Sequence, residues 1–285
     1  MVNDNPSEKT LKNIELFLEQ QAELFGDETF LPEAPISSNP IQKDLQTSTD
    51  VKKQPHFEEK TGRESDLKQK PKTIKVTEDR ELFEGTVLNS EWKIDSKWYD
   101  STSLSELDSK INKCLKCPLG STRKNFVFGV GNPNAKLVLI GEAPGADEDE
   151  QGEPFVGRAG QLLTKILAAV QLRREDVYIC NILKCRPPNN RDPLPTEAEA
   201  CEPYLKKQLE IIRPKLILCL GRIAGQSLLK TNATLAELRN NIYEYQGIKV
   251  LVTYHPAALL RNPNWKRPAW EDIQKMRKLY DELPE

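Results

Sequence analysis

The chain has 285 residues, 38% of them hydrophobic and 29% charged, with a net charge of −2, room for one large domain or a domain with a tail. Charge is uneven: residues 1–100 hold 14 Lys/Arg against 21 Asp/Glu and residues 101–285 hold 27 against 22, so the body is modestly basic, compatible with a polyanionic partner without requiring one. No apolar run is long enough to cross a bilayer, and the opening MVNDNPSEKT lacks the basic-then-apolar order of a secretory signal; a cytoplasmic protein is expected.

In chain order, Thr10–Phe25 places Leu11, Ile14, Leu18 and Leu24 at helical spacing, which predicts an amphipathic helix. Residues 32–91 are polar and charged with few large apolar side chains, so they cannot bury enough surface to offset the entropy of ordering and read as disordered. The folded domain is expected over residues 101–285, behind a 1–100 extension. Leu104, Leu107 and Ile111 mark a short helix. Lys136–Ile140, Val177–Leu183, Lys215–Leu220 and Lys249–Tyr254 are near-continuous apolar runs, as strands covered on both faces must be. Between and after them fall helices over Arg158–Val170, Thr196–Ile212 (with a capping box from Thr196 to Glu199), residues up to Leu229, and Pro268–Leu283. Alternating strands and helices imply right-handed crossovers and an α/β fold, a three-layer α/β/α sandwich around a four-stranded parallel sheet.

Ligands of such sheets bind beyond the carboxyl ends of the strands. Strand one runs into Gly141-Glu142-Ala143-Pro144-Gly145, and an acidic stretch, Asp147–Glu150, that reads as a solvated loop leads to Glu153-Pro154-Phe155-Val156-Gly157. Strand two carries Asn181 and continues into Lys184-Cys185-Arg186-Pro187-Pro188, and strand four ends in His255-Pro256. Topology alone therefore brings Glu142, Phe155, Asn181 and His255 to one crevice. Of the two histidines, His56 lies in the polar stretch, which leaves His255 as the candidate acid–base or electrostatic group. Asn181 inside an apolar strand is either bonded to loop backbone or presents a donor and an acceptor to a base edge. Phe155 is either a core plug or a stacking platform.

The six cysteines, in a reducing compartment, are candidate core residues, nucleophiles or metal ligands and not disulfides. Cys180 and Cys219 lie within apolar strands and read as core. Cys114, Cys117, Cys185 and Cys201 can close a four-thiolate site, for zinc or an iron–sulfur cluster. The absence of a second C-x-x-C pair tilts the reading toward a cluster.

Four blocks carry a resemblance. Gly141-Glu142-Ala143-Pro144-Gly145, Gly152-x-Pro154-Phe155-Val156-Gly157-Arg158-Ala159-Gly160, Asn181-x-x-Lys184-Cys185-Arg186-Pro187-Pro188 and His255-Pro256-x-x-Leu259-Leu260-Arg261 together resemble the family 4, iron–sulfur-containing uracil-DNA glycosylases. The resemblance runs from about Leu104 to Leu283. It implies hydrolysis of the bond between uracil and deoxyribose in DNA, and a 4Fe-4S cluster on Cys114, Cys117, Cys185 and Cys201. It further implies uracil bound at Ala143, Phe155 and Asn181, catalytic work by Glu142 and His255, and DNA contacts from Leu259, Leu260 and Arg261, one leucine wedging into the base stack and the arginine holding phosphate. Better-known uracil glycosylases carry a water-activating Asp where this chain has Ala143, which leaves Glu142, then Glu148, to position the water. The alternative is a non-catalytic iron–sulfur DNA-binding module associated with a DNA polymerase; a product-trapping glycosylase would carry a basic insertion before His255. A monomer is expected, with no membrane partner. Gln21-Ala22-Glu23-Leu24-Phe25 is similar to a bacterial sliding-clamp peptide, although a helix packing on its own domain is the plainer reading.

Overall fold

The computed structural model describes residues 73–75 and 96–284. The expected helix over 10–25, the clamp-like Gln21–Phe25 and most of the 32–91 stretch lie outside the described residues. In chain order the elements are β1 (Thr73–Lys75), α1 (Leu104–Ile111), α2 (Leu119–Thr122), β2 (Val130–Gly131), β3 (Leu137–Gly141), α3 (Ala146–Gln151), α4 (Arg158–Ala169), β4 (Tyr178–Asn181), α5 (Pro195–Ile212), β5 (Leu216–Leu220), α6 (Arg222–Leu229), α7 (Leu235–Arg239), β6 (Ile242–Tyr245), β7 (Ile248–Thr253), α8 (Pro256–Arg261) and α9 (Lys266–Asp281).

The four expected strands are β3, β4, β5 and β7, and they lie side by side in parallel, in the order β7-β5-β3-β4. They alternate cleanly. Leu137, Leu139, Ile179, Leu216, Leu218 and Leu251 face α4 and α9, whereas Val138, Ile140, Cys180, Ile217, Cys219, Val250 and Val252 face α5, α6 and α7. Both faces are thus buried, which is why the strands read as unbroken apolar runs, and Cys180 and Cys219 are core residues as expected.

Three further strands widen the sheet from four to seven, in the order β1-β6-β7-β5-β3-β4-β2. β2 is two residues long and pairs antiparallel with β4, too short to leave a periodic signal. β6 pairs antiparallel with β7 through Gln246-Gly247, both left-handed (φ 50° and 81°), the backbone that a two-residue hairpin turn requires. β1 pairs in parallel with β6. It lies inside the stretch read as disordered, so that expectation fails at Thr73–Lys75: β-branched residues there meet an open sheet edge, and pairing supplies what local composition lacks.

Two local expectations change. Asp147–Glu150 belongs to helix α3, not a solvated loop; Asp149 is buried and accepts the backbone N–H of Lys124 at 2.9 Å. Helix α5 starts at Pro195, whose fixed φ suits the first helical position. Its capping acid is Glu197, which accepts the Leu194 N–H at 2.9 Å and grips Arg191 at 2.6 and 2.8 Å. Among the described residues no helix is long and apolar enough to cross a membrane.

Candidate active site and cysteine cluster

The carboxyl ends of β3, β4 and β7 open onto one cavity of about 330 Å³, lined among others by Glu142, Ala143, Phe155, Asn181, His255 and Arg261. The parallel register puts Gly141 opposite Asn181. A methyl group on Gly141 would come within 2.3 Å of Asn181 Oδ1 and 2.6 Å of Phe155 Cζ, so the strand must end in glycine for the amide and the ring to close over it. Asn181 is 2% exposed, and its Oδ1 has no hydrogen-bond partner among the described residues. A buried, unpaired amide oxygen on a residue that lines a polar cavity is costly unless a ligand supplies its donor.

Phe155 holds a left-handed backbone (φ 56°), unfavourable for a non-glycine residue. Three contacts hold it there. Arg174 donates to the carbonyls of Phe155 and Pro154 at 3.1 and 2.9 Å. Glu148 Oε1 accepts the N–H groups of Val156 and Gly157, both at 3.0 Å. Gly160 lets α4 press on the Phe155 carbonyl, which a side chain at 160 would meet at 1.8 Å. Glu148 also accepts the Gly145 N–H at 3.1 Å. Its carboxylate is engaged as a loop brace, which leaves Glu142 as the candidate for positioning water.

His255 caps α8: its Nδ1 accepts the Ala257 N–H at 3.1 Å, so the hydrogen of the neutral ring sits on Nε2. Burial, then the nearby Arg261 charge, pushes its pKa down to about 4, and the ring is therefore a neutral donor at physiological pH. It lies 5.5 Å from the Phe155 ring, centroid to centroid, at an interplanar angle of 32°. Glu142 is pushed up to about 7, chiefly by burial and further by Asp192, against the opposing effect of Arg222. Arg174, Asp192 and Arg222 were not singled out from sequence; charged loop residues have no periodic signature, and only the fold brings them here.

The two leucines separate. Leu259 is 3% exposed and packs in the core between α4 and α9, while Leu260 is 40% exposed. Of the two, only Leu260 reaches the surface.

Cys185 and Cys201 are buried, Cys114 and Cys117 half-buried, and all four pack in one apolar cluster with Leu107, Ile111 and Tyr204. Ala143 joins that cluster as well as the cavity wall, so the cysteines adjoin the crevice. Cys114 Sγ accepts from the Tyr204 hydroxyl at 3.3 Å and the Lys116 N–H at 3.4 Å, Cys185 Sγ from Arg123 at 3.3 Å, and Cys201 Sγ from the Lys184 N–H at 3.4 Å. Burial pushes the Cys185 thiol up to about 11 and Cys201 to about 12. Among the described residues, no group of three or more His, Cys, Asp or Glu side chains is set to hold a metal ion.

The family model for the uracil DNA glycosylase superfamily matches residues 128–274, which span every crevice residue named above, and the chain belongs to that family. Within it the chain falls with the type-4 uracil-DNA glycosylases. It is 49% identical over 185 residues to the one from Archaeoglobus fulgidus, covering 62% of this chain and 93% of the relative. With that of Thermotoga maritima it shares 46% over 182 residues, 62% of this chain and 95% of the relative. The DNA polymerase of Bacillus phage SP01 is 30% identical over 154 residues, 54% of this chain but 17% of the polymerase.

Proposed function

We propose that the chain hydrolyses the N-glycosidic bond between uracil and deoxyribose in DNA, the first step of base-excision repair. The observation that carries this is Asn181, a residue of the cavity lining whose buried Oδ1 is unpaired. Uracil offers an N3–H donor to that oxygen and an O4 acceptor to the amide nitrogen beside it. Cytosine reverses both groups, so a fixed amide rejects it. The base would stack on Phe155, and the neutral His255 would donate Nε2–H to uracil O2 as negative charge gathers on the departing base. An oxocarbenium-like sugar needs little nucleophile activation, so a water held by Glu142 suffices, without an Asp at position 143. Leu260 would fill the gap the base leaves in the stack, and Arg261 would hold phosphate.

Cys114, Cys117, Cys185 and Cys201 would hold a 4Fe-4S cluster. Their setting fits it: apolar walls, with N–H or O–H donors aimed at three of the four sulfurs. Bound there, the cluster would cross-link the loop before α2, the loop after β4 and helix α5. The catalytic reading is preferred to a polymerase-associated binding module because the crevice residues are all present. We infer a cytoplasmic monomer, since one chain carries every residue this reading uses.

The test is release of uracil from a single-uracil oligonucleotide by the intact protein, beside His255→Ala and Asn181→Ala. Each variant is expected to lose about a hundredfold or more in kcat/KM, as removal of one developing-anion donor does elsewhere. No release from iron-loaded protein would leave the binding module standing.

A further inference from the structure

Lys184 is 0% exposed, one of the most deeply buried side chains of the molecule. Long charged residues seldom occupy such a place, and a methionine would fill the space without burying a polar end. Packing alone does not explain a lysine there.

Its contacts do. Three residues after Asn181 the side chain turns back, and Nζ donates to the Asn181 carbonyl at 2.9 Å and to Gln208 Oε1 at 2.6 Å. Gln208, also 0% exposed on α5, is itself anchored, its amide nitrogen donating to the Phe128 carbonyl at 3.0 Å and the Tyr178 hydroxyl at 3.2 Å. The Asn181 carbonyl needs such a donor. β4 pairs with β3 through the next residue, Ile182, whose N–H donates to Gly141 at 2.9 Å, so alternation turns the Asn181 carbonyl toward β2. The pairing with β2 has already ended at Ile179. Lys184 Nζ takes the place a longer strand would have filled.

We propose that Lys184 is a positioning residue for uracil excision. Held by Gln208, it fixes the peptide of Asn181 and thereby the angle at which the Asn181 amide presents its unpaired oxygen to the base. The proposal rests on the uracil-excision reading of the crevice and adds a residue to it that touches neither base nor DNA.

A double-mutant cycle tests it: parent, Lys184→Met, Asn181→Ala and the combination, in single-turnover uracil release with enzyme in excess. Iron content and thermal melting of each protein are measured alongside. Acting through Asn181, Lys184→Met lowers the single-turnover rate constant by about tenfold, the worth of one hydrogen bond, with iron content unchanged. Lys184→Gln, which keeps a donor, recovers part of the loss. On the Asn181→Ala background the same substitution costs almost nothing, because the group it positions is gone. Lys184→Met as active as the parent, or a loss that persists undiminished beside Asn181→Ala, overturns the proposal. A parent that releases no uracil defeats the crevice reading instead. Should Lys184→Met fail to fold, Gln208→Met, which removes the brace behind Nζ, goes through the same cycle with the same expectations.

Discussion

Glu142 shows how one side chain ties burial to chemistry. Its carboxyl is pushed up to about 7, first by burial and then by Asp192, so it is mostly protonated below that pH and anionic above it. If the anion holds the attacking water, kcat/KM rises about tenfold per pH unit on the acid side of 7 and levels beyond it. His255, pushed down to about 4, stays neutral throughout and adds no second limb. Glu142→Gln should lower the rate and flatten the profile; a parent profile flat from about pH 5 to 8 would take the anion out of the mechanism. Stability moves the other way. The folded pKa lies above the ordinary 4.5, so the unfolded chain releases the proton sooner and the fold is penalised as pH rises from about 4.5 through about 7. Glu142→Gln is thus expected to stabilise by on the order of 2 kcal/mol near pH 8, after discounting for partial exposure, and by nothing near pH 4, read by denaturant titration at both pH values.

Helix α8 is an element whose neighbouring residues do different work. It is a single turn and a half capped by His255, and on it Leu259 points into the core while Leu260 points out. Leu259→Ala should cost about 2–5 kcal/mol in denaturant stability, as emptying a buried leucine site does. Leu260→Ala should leave stability within about 0.5 kcal/mol yet slow uracil release from double-stranded DNA more than from single-stranded DNA, where no stack must be opened. Equal slowing on both substrates would remove Leu260 from the role of wedge. In the same way α3 matters for what it ties together. Its Glu148 and Asp149 hold the loop carrying Phe155 and the segment after α2, so an acidic run in the sequence becomes an internal brace.

At the scale of the whole molecule, the sheet is clad on both faces by apolar clusters, and a third cluster glues the cysteine-bearing N-terminal segment to the loop after β4 and to α5. The similarity to the Archaeoglobus and Thermotoga relatives spans 62% of the chain, and the crevice lies wholly after residue 140. Deleting residues 1–72, which spares β1, should therefore leave uracil release within about twofold of the intact protein. If Gln21–Phe25 engages a sliding clamp, the same deletion abolishes capture by the clamp in a pull-down. Loss of release on deletion would assign the extension to the catalytic body.

What the sequence determined by itself was the part encoded in local pattern. The four parallel strands showed as apolar runs because both faces of the sheet are buried. The crevice residues Glu142, Phe155, Asn181 and His255 were legible because strand ends in such a sheet must converge on one edge, whatever the side chains. The four cysteines stood apart from the two in strands for the same reason of periodicity. Tertiary structure decided what depends on partners distant in the chain. It turned Leu259 inward and Leu260 outward, committed Glu148 to backbone amides, and recruited Thr73–Lys75 to a sheet edge formed some 170 residues later. It also placed Arg174 beneath the Phe155 loop and Lys184 behind Asn181. Periodicity records which face of an element is buried; it carries no record of which polar group will meet which, because those meetings are set by packing between segments and not by spacing within one.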